Sequence, residues 1–372
     1  MTSPAFNHSH PLSPLGWNDS FAAELPEGSM PARVARVDRG AADVLAADGQ
    51  HHITFGSRVR KAAADDPVAL PCVGDWVALT LLAEGRYELE AVLPRRTAFV
   101  RGGVGRTSRA GLSGDGQGQV LAANVDIVFV AEPSMHAGDL ADLGRIERLV
   151  ALAWESGGQP VVLVTKSDLC EHELDGLVAD VAAAVPGVDV HAVSAHDGDG
   201  VALLRTYLDG SRTAVVLGPS GAGKSTLVNT LAGHDVMDTA LVRAGDGRGR
   251  HTTVHRELIP LPGGGLIIDT PGIRRVGLYE MTDGVDLVFA DIEELAGQCR
   301  FVDCGHRGEP GCAVLAALEG EELTERRLAS WRKLQREADW MASRTDARLR
   351  KAQQDKWKTI HKEMRRSGRN RP

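Results

Sequence analysis

The order of two sequence motifs constrains this chain more than any other feature. Residues 218–225 fit the phosphate-loop pattern G-x-x-x-x-G-K-[ST], between an apolar strand segment and a predicted helix, which is the context that the pattern requires. A second motif, residues 165–168, also ends an apolar strand and has the form of a purine-base reader, but it comes about fifty residues earlier. The base reader usually follows the phosphate loop, so the parts of this site occur in a rotated order.

The phosphate loop predicts specific roles for its residues. Its glycines let backbone N–H groups point at phosphates, at the N-terminus of the following helix. We expect Lys224 to reach the β- and γ-phosphates and the Ser225 hydroxyl to bind Mg²⁺. A purely structural glycine-rich turn is the alternative. The predicted phosphate-binding residues are Gly218, Pro219, Ser220, Gly221, Ala222, Gly223, Lys224, Ser225 and Thr226.

Two later segments are predicted to sense the γ-phosphate. Asp269 ends an apolar strand and can hold Mg²⁺ through water, while the backbone N–H of Gly272 can contact the γ-phosphate. Residues 245–253 are polar and glycine-rich, as expected of a loop that becomes ordered only when γ-phosphate and Mg²⁺ are bound. Thr252 or Thr253 supplies a second hydroxyl to the metal, unless this segment is an ordinary surface loop.

The base reader predicts selectivity for guanine. The carboxylate of Asp168 can accept hydrogen bonds from guanine N1–H and the exocyclic amine together, a donor pair that adenine lacks. Lys166 is expected to lie over the base, and Thr165 stands where Asn is usual, which removes a contact near N7. A Ser-Ala pair after the next strand can support the guanine oxygen by a backbone N–H. The predicted base-binding residues are Thr165, Lys166, Ser167, Asp168, Ser194 and Ala195.

A cluster of cysteine and histidine near the C-terminus predicts a structural zinc site. Three thiolates and one imidazole in the spacing C-x₄-C-x-H-x₅-C make a closed tetrahedral set with no open position for catalysis. Cysteines in a core without a metal are the alternative. The predicted ligands are Cys299, Cys304, His306 and Cys312, whereas the isolated Cys72 and Cys170 are interpreted as packing residues.

Composition limits where the protein acts. Five cysteines in 372 residues argue against a disulfide scaffold, and no apolar run approaches the roughly 20 residues that span a bilayer. With no secretory signal at the start, we expect a cytoplasmic protein. The net charge is −8, yet residues 344–372 carry eleven Lys or Arg against three acidic residues. This basic tail is either suited to RNA phosphates or simply a solvated helix face.

The chain is predicted to hold six segments. Short alternating stretches between turn signals indicate a five-stranded barrel, with the OB-fold as a candidate, and later alternation of strands and helices indicates a parallel sheet covered on both faces. The expected segments are a flexible tail over 1–31, the OB-fold over 32–101, a Gly-rich linker over 102–120, the nucleotide domain over 121–282, a zinc-binding domain over 283–343 and the basic tail over 344–372.

Together these motifs closely resemble those of the RsgA (YjeQ) family of circularly permuted GTPases. The resemblance rests on the order TKSD, SA, GPSGAGKST, HTT and DTPG, and on the Cys/His spacing, over about residues 32–340. It implies the fold class α/β, with an N-terminal OB-fold β-barrel, a permuted Ras-like P-loop domain and a C-terminal α-helical zinc-binding domain. It also implies GTP or GDP, Mg²⁺ and one Zn²⁺ as cofactors. Late maturation of the small ribosomal subunit, with hydrolysis stimulated by that subunit, is the implied role.

The catalytic residues are less evident than the binding residues. Ile273 occupies the position where Ras-like enzymes carry the Gln that orients the attacking water, so intrinsic hydrolysis is expected to be slow. His251, beside the threonines expected on Mg²⁺, is the nearest replacement, although it could instead contact RNA or shape the loop. Two other functions remain open, an RNA-binding assembly scaffold with a structural nucleotide and a P-loop small-molecule kinase. We expect a monomer that binds the small subunit and its rRNA without a membrane.

Overall fold

The computed structural model of the chain describes residues 10–83, 85–101, 118–136, 139–170, 173–237, 256–269 and 282–345. Residues up to 269, apart from Gly118, form one compact unit, and residues 282–345 belong to a second. Among the described residues no helix has the length and apolar content needed to cross a membrane.

The first unit begins with a closed five-stranded β-barrel. The strands pair in the order β1-β2-β3-β5-β4, and β4 pairs back with β1, so the sheet has no free edge. Apolar residues that alternate along each strand, such as Val34, Val44 and Leu79, fill its interior. The elements are α1 (Asp19–Ala22), β1 (Met30–Asp38), β2 (Ala41–Ala46), β3 (Gly49–Phe55), α2 (Ser57–Asp65), β4 (Trp76–Leu81) and β5 (Tyr87–Val92). The predicted barrel is confirmed.

The N-terminal segment differs from the flexible tail expected over residues 1–31. Leu12, Trp17 and Phe21 are buried against Trp76 and Leu93 on the outside of the barrel. The rings of Trp17 and Trp76 meet edge to face with centroids 4.8 Å apart. Apolar burial therefore fixes the segment from residue 10 onward, because aromatic side chains supply large contact areas. The expectation is wrong for these residues, and residues 1–9 lie outside the described part.

The remainder of the first unit is an α/β sheet that places the phosphate-loop strand near its centre. The strand order is β12-β11-β8-β13-β15-β14, and all neighbours are parallel except the antiparallel pair β14–β15. The elements are β6 (Ala98–Arg101), β7 (Gln119–Ala123), β8 (Ile127–Pro133), β9 (Met135–His136), β10 (Asp139–Leu140), α3 (Leu143–Glu155), β11 (Gln159–Thr165), α4 (Leu174–Ala184), β12 (Asp189–Val193), α5 (Val201–Tyr207), β13 (Thr213–Leu217), α6 (Lys224–Ala232), β14 (Glu257–Pro260) and β15 (Leu266–Asp269).

Both faces of this sheet are buried. Phe129 and Leu163 face a core that α5 and α6 complete with Leu204, Leu227 and Leu231. The intervening residues of the same strands are also inaccessible, and α3 and α4 pack along them. Strands buried on both faces read as continuous Val, Ile and Leu runs, which is the pattern that predicted the sheet. A Gly-rich linker is expected over 102–120, but β7 already begins at Gln119. Residues 102–117 lie outside the described residues.

A buried arginine joins the barrel to the nucleotide sheet. Arg33 of β1 is 2% exposed, and its burial lowers its pKa to about 10 while Asp126 and Asp75 oppose the shift. It donates hydrogen bonds to four groups: the Thr213 hydroxyl at 2.7 Å, the carbonyls of Asn124 at 3.2 Å and Gly74 at 3.3 Å, and the carbonyl of Leu15. Since Thr213 starts the phosphate-loop strand, the barrel is tied to the base of the nucleotide site. Hydrogen bonds to its donors offset the free-energy cost of burying such a charge.

The second unit is helical. Its elements are α7 (Thr282–Val288), α8 (Ala290–Ala296), α9 (Ala313–Glu319) and α10 (Glu325–Thr345). Arg327 of α10 forms a two-pronged ion pair with Asp291 of α8, at 2.6 and 2.7 Å, and donates to the Val288 carbonyl at 2.9 Å. Its guanidinium also lies 4.8 Å from the ring centre of Phe289. This pair docks the long helix on the two short helices before the cysteine cluster.

Candidate nucleotide and zinc sites

The phosphate loop is shaped by glycine at a close approach of two strands. Gly218 has φ +146°, and a Cβ added there would lie 2.1 Å from the carbonyl oxygen of Ala131 on β8, so no other residue fits. Gly223, with φ +74°, is the N-cap of α6, and no side chain of the described residues caps that helix end. The Lys224 ammonium donates to the carbonyl oxygens of Gly218, at 2.9 Å, and Pro219. The loop therefore curls around the lysine that the sequence assigned to phosphate.

The base-reader strand is bonded directly to the phosphate loop. Thr165, the last residue of β11, is 4% exposed, and its hydroxyl donates to the Ala222 carbonyl at 2.9 Å across 57 residues of sequence. The hydroxyl that replaces the usual Asn thus has a partner within the loop. The structure brings together the two motifs whose order along the chain is rotated.

Hydrogen bonds of Ser194 and Thr230 complete this cluster. The Ser194 hydroxyl donates to Asp168 Oδ1 at 2.7 Å, with Asp197 Oδ2 a longer alternative at 3.4 Å, and accepts from the backbone N–H of Asp197 at 3.2 Å. The Thr230 hydroxyl of α6 lies within donating distance of the Ala195 carbonyl, at 3.1 Å, and of the Thr226 carbonyl in its own helix, at 2.9 Å. The Ser-Ala pair therefore links the base reader on one side to the phosphate-loop helix on the other.

Ser134 is a contact residue that the sequence reasoning missed. It follows β8 directly and is fully buried. Its backbone N–H donates to the Thr165 carbonyl at 2.8 Å, and its hydroxyl donates to the Lys166 carbonyl at 2.9 Å. No motif marks a single serine after a strand, so only the register of neighbouring strands could have indicated it.

The residues expected around Mg²⁺ and the γ-phosphate are only partly described. Ser225 lies half-buried in the first turn of α6, and half-buried Asp269 ends β15, the neighbour of the phosphate-loop strand. This is the sheet edge at which parallel α/β folds bind ligands. His251, Thr252, Thr253 and Gly272 lie outside the described residues, as does the whole 245–253 segment.

The four predicted zinc ligands meet in the second unit. Their ligand atoms all lie within 4.8 Å of one another. The Cys299 and Cys312 sulfurs are 3.9 Å apart, and His306 Nδ1 is 3.6 Å from the first and 3.4 Å from the second. Tetrahedral Zn²⁺ with Zn–S bonds of about 2.3 Å separates sulfurs by about 3.8 Å. The donor set and its spacing therefore fit a structural zinc. The prediction that Cys72 and Cys170 are packing residues is also confirmed, because both are buried elsewhere.

The electrostatics of this cluster favour a bound cation. Desolvation opposes ionisation of Cys299, but hydrogen bonds from the backbone N–H groups of Val314 and Ala313 give it a lowered pKa. Cys304 receives a backbone hydrogen bond at His306 that favours its thiolate, yet desolvation and the neighbouring sulfurs of Cys312 and Cys299 raise its pKa to about 11. A bound metal ion would favour the thiolate form of crowded cysteines and would relieve the repulsion between them.

Glu309 stabilises the loop between the zinc ligands by accepting hydrogen bonds from its backbone. Its carboxylate accepts hydrogen bonds from the backbone N–H groups of Gly305 at 3.1 Å, Arg307 at 2.7 Å and Gly308 at 3.1 Å. The bond from Arg307 is the strongest of the influences that lower its pKa to about 2. On the other side of the ligand set, the His306 ring lies edge to face against Trp331, with centroids 5.6 Å apart.

Comparison with known proteins gives consistent matches over most of the chain. Residues 92–279 match the model of the RsgA GTPase family, and residues 213–367 match a model described as 50S ribosome-binding GTPase. A protein of Streptomyces coelicolor named small ribosomal subunit biogenesis GTPase RsgA is 50% identical over 355 residues, covering 94% of this chain and 92% of its own. The protein of the same name from Opitutus terrae is 43% identical over 364 residues, with coverage of 94% and 96%.

Two solved structures share the fold. The crystal structure of YjeQ from Thermotoga maritima aligns with a TM-score of 0.61 at 23% identity, covering 83% of this chain and 98% of that one. The crystal structure of YloQ, a circularly permuted GTPase, aligns with a TM-score of 0.59 at 22% identity, covering 84% and 96%. The rotated motif order, the barrel and the Cys₃His cluster agree with these matches. The chain belongs to the RsgA GTPase family.

Proposed function

We propose that this P-loop GTPase binds the small ribosomal subunit, assists its late maturation and hydrolyses GTP to GDP and phosphate when the subunit stimulates it. The observation that carries the guanine-nucleotide part is the bond from Thr165 to Ala222, which ties the base reader to the phosphate loop at one sheet edge. The ribosomal part is supported by relatives of up to 50% identity, whose names specify small-subunit biogenesis. The description "50S ribosome-binding" of one family model names the other subunit, and the full-length relatives outweigh it.

The binding roles follow from the positions of the side chains. In this proposal backbone N–H groups of residues 218–226 and the Lys224 ammonium bind phosphates, while Asp168, Lys166 and Ala195 bind guanine. Ser225 and Asp269, with Thr252 and Thr253, hold Mg²⁺, which when bound neutralises charge between the β- and γ-phosphates. Lys224 exchanges its carbonyl partners in the loop for phosphate oxygens, so ligand binding costs it little reorganisation.

His251 is the proposed catalytic residue, together with Lys224 and the backbone of Gly272. The sequence supports this role, since Ile273 cannot hydrogen-bond the attacking water and His251 adjoins the two threonines. His251→Ala is expected to lower subunit-stimulated turnover by roughly 10²-fold, the usual scale for a positioned proton-handling group. Unchanged stimulated turnover with normal GTP binding would remove His251 from the mechanism.

The partners are proposed from charge and fold. The barrel resembles OB-folds, which often bind oligonucleotides, and the tail over residues 344–372 carries eleven basic residues suited to rRNA phosphates. We place the protein in the cytoplasm as a monomer when it is not on the ribosome.

In the permuted order the zinc module follows the Asp269 segment directly along the chain, and its first ligand, Cys299, comes thirty residues after Asp269. Nucleotide state can therefore be transmitted to that module. Equal hydrogen exchange of the module in GTP- and GDP-bound forms would contradict this coupling.

The decisive experiment is GTP hydrolysis by the purified full-length protein with and without small ribosomal subunits. Strong stimulation by small subunits, and weak stimulation by large subunits, is expected of the proposed switch. A scaffold with a structural nucleotide is the second candidate, favoured by Ile273, and predicts tight guanine binding without stimulation. A preference for ATP over GTP would instead indicate a kinase.

A further inference from the structure

Ser134 occupies a place where three parts of the nucleotide site converge. It follows the last residue of β8, the strand between the phosphate-loop strand β13 and the base-reader strand β11. The β8–β11 pairing ends at Pro133 opposite Thr165, so Ser134 is the first residue beyond the paired strands. It is fully buried, so solvent cannot substitute for its hydrogen-bond partners.

The two bonds of Ser134 fix consecutive peptide groups of the base reader. The backbone N–H holds the Thr165 carbonyl, and the hydroxyl holds the next carbonyl, that of Lys166. Lys166 has φ +56°, a left-handed conformation that is uncommon and unfavourable for a residue with a side chain. The hydroxyl of Ser134 therefore stabilises a backbone conformation that the chain would otherwise leave.

The orientation of this peptide determines where Asp168 points. The Lys166 carbonyl belongs to the peptide that leads into the short 3₁₀ turn Ser167–Leu169, and Asp168 lies in the middle of that turn. Asp168 in turn meets the Ser194 hydroxyl at 2.7 Å. One peptide group and one turn thus connect the Ser134 hydroxyl to the carboxylate of Asp168.

We propose that Ser134 is a positioning residue for guanine recognition, which holds Lys166 and Asp168 in the conformation that reads the base. This inference rests on the proposed function, in which Asp168 and Lys166 bind guanine. The Ser134 hydroxyl is directed at base recognition more than at the phosphates, because it bonds the Lys166 carbonyl, whereas the bond to the phosphate loop is made by the Thr165 hydroxyl.

The test compares two buried serines in the full-length, zinc-loaded protein with Mg²⁺. S134A removes the bond to the base reader, and S156A removes an equivalent bond, 2.7 Å long, from a buried serine hydroxyl to the Ala153 carbonyl at the end of α3. Dissociation constants for GDP and ADP are measured for each variant. S134A is expected to lower the GDP-over-ADP preference about tenfold, the effect of losing roughly one hydrogen bond, with ADP binding unchanged. S156A is expected to keep the preference of the wild type.

The possible outcomes separate the inference from the function on which it rests. An unchanged preference in S134A, or an equal loss in S156A, overturns the positioning role. A wild-type protein without preference for GDP contradicts the proposed function instead. If S134A is too unstable to purify, S134C retains the volume with a weaker donor, and its preference must then fall below that of S156A.

Discussion

The nucleotide site and the zinc site hold their residues together in opposite ways. The nucleotide site gathers segments far apart in sequence, and hydroxyl groups of Thr165, Ser194 and Thr230 donate to a carbonyl or carboxylate of another segment. The zinc site takes four ligands from fourteen residues, and its ligand atoms all lie within 4.8 Å of one another. The first geometry exists because the sheet has folded, whereas the second needs a cation to bring thiolates together.

This difference predicts opposite responses to perturbation. Damage to the nucleotide site should lower ligand affinity while the sheet stays folded, because strands buried on both faces stabilise it. Damage to the zinc site should unfold its surroundings, because short helices with small cores depend on the metal. The following experiments test that contrast, beginning with the largest effect.

Loss of zinc is expected to have the largest effect. Cys312→Ser, or chelation of the wild type, removes a ligand set whose metal contributes on the order of 10 kcal/mol in zinc-finger peptides. We expect zinc content to fall below one per chain and amide protection to be lost in α8 and α9, while β8 stays protected and GTP still binds. Zinc analysis and hydrogen exchange measure this. Cys170→Ser, at a buried cysteine outside the cluster, is the control and should keep both. Persistent protection of α9 without zinc would contradict the contrast.

Gly218→Ala is expected to abolish nucleotide binding. Both its φ of +146° and the 2.1 Å approach of a Cβ to the Ala131 carbonyl exclude a side chain, so the loop must move by more than a rotamer adjustment. We expect GTP affinity to fall more than about 100-fold, equivalent to about 3 kcal/mol or more. Gly233→Ala is the control, since it has φ +75° at the end of α6 but open space around its Cβ. It should lower stability by about 1 kcal/mol and leave GTP affinity unchanged. Titration calorimetry measures both.

Thr165→Val is expected to have an intermediate effect. Valine keeps the shape of threonine but leaves the buried Ala222 carbonyl without its donor, at a cost of about 1–2 kcal/mol. GTP affinity should therefore fall about tenfold, and Thr165→Ser should retain it because serine keeps the hydroxyl. Thr206→Val, which removes a hydroxyl bonded to the Leu203 carbonyl at an exposed position of α5, serves as the control. If both valine variants bind GTP equally well, the bond between the two motifs contributes nothing to the site.

Sequence reasoning succeeded where the signal is local. The zinc ligands lie within fourteen residues, and the phosphate loop is defined by eight, so their spacing alone indicated them. Continuous apolar runs predicted the buried strands, among them the strand before the phosphate loop, which is Thr213–Leu217 in the structure. The barrel strand Ala41–Ala46 gave no such signal, because its Ala-rich sequence has little preference for strands.

Contacts between distant residues could not be predicted in this way. Arg33 reads as an ordinary polar residue of an alternating strand, yet it meets Thr213 across 180 residues. Ser134 and the bond from Thr165 to Ala222 depend equally on which strands become neighbours. The buried N-terminal residues Leu12 and Trp17 were missed because their partners lie in the barrel. Composition describes a segment by itself, whereas burial depends on the surface against which it packs.

Glu309→Gln is expected to have the smallest effect and to refine the contrast. The carboxylate holds three backbone N–H groups of the zinc loop, so part of that loop is prepared before metal binds. Glutamine removes the charge and one acceptor, and zinc should leave several-fold faster while the folded, zinc-loaded module stays intact. Because the pKa of Glu309 is lowered to about 2, the carboxylate stays charged well below its ordinary titration range, and the effect should be the same from about pH 6 to about pH 8.

Zinc transfer to a chromogenic chelator measures the rate in this last experiment. Glu319→Gln, at the exposed end of α9 and outside the ligand loop, is the matched control and should release zinc as the wild type does. A faster rate in Glu309→Gln alone would show that the zinc site also uses hydrogen bonds fixed by the fold, over a short range. Equal rates in all three proteins would show that the hydrogen bonds of Glu309 contribute nothing to zinc retention. The contrast between the two sites would then be sharper, because side-chain hydrogen bonds to the backbone shape the nucleotide site whereas those of Glu309 do not hold the metal.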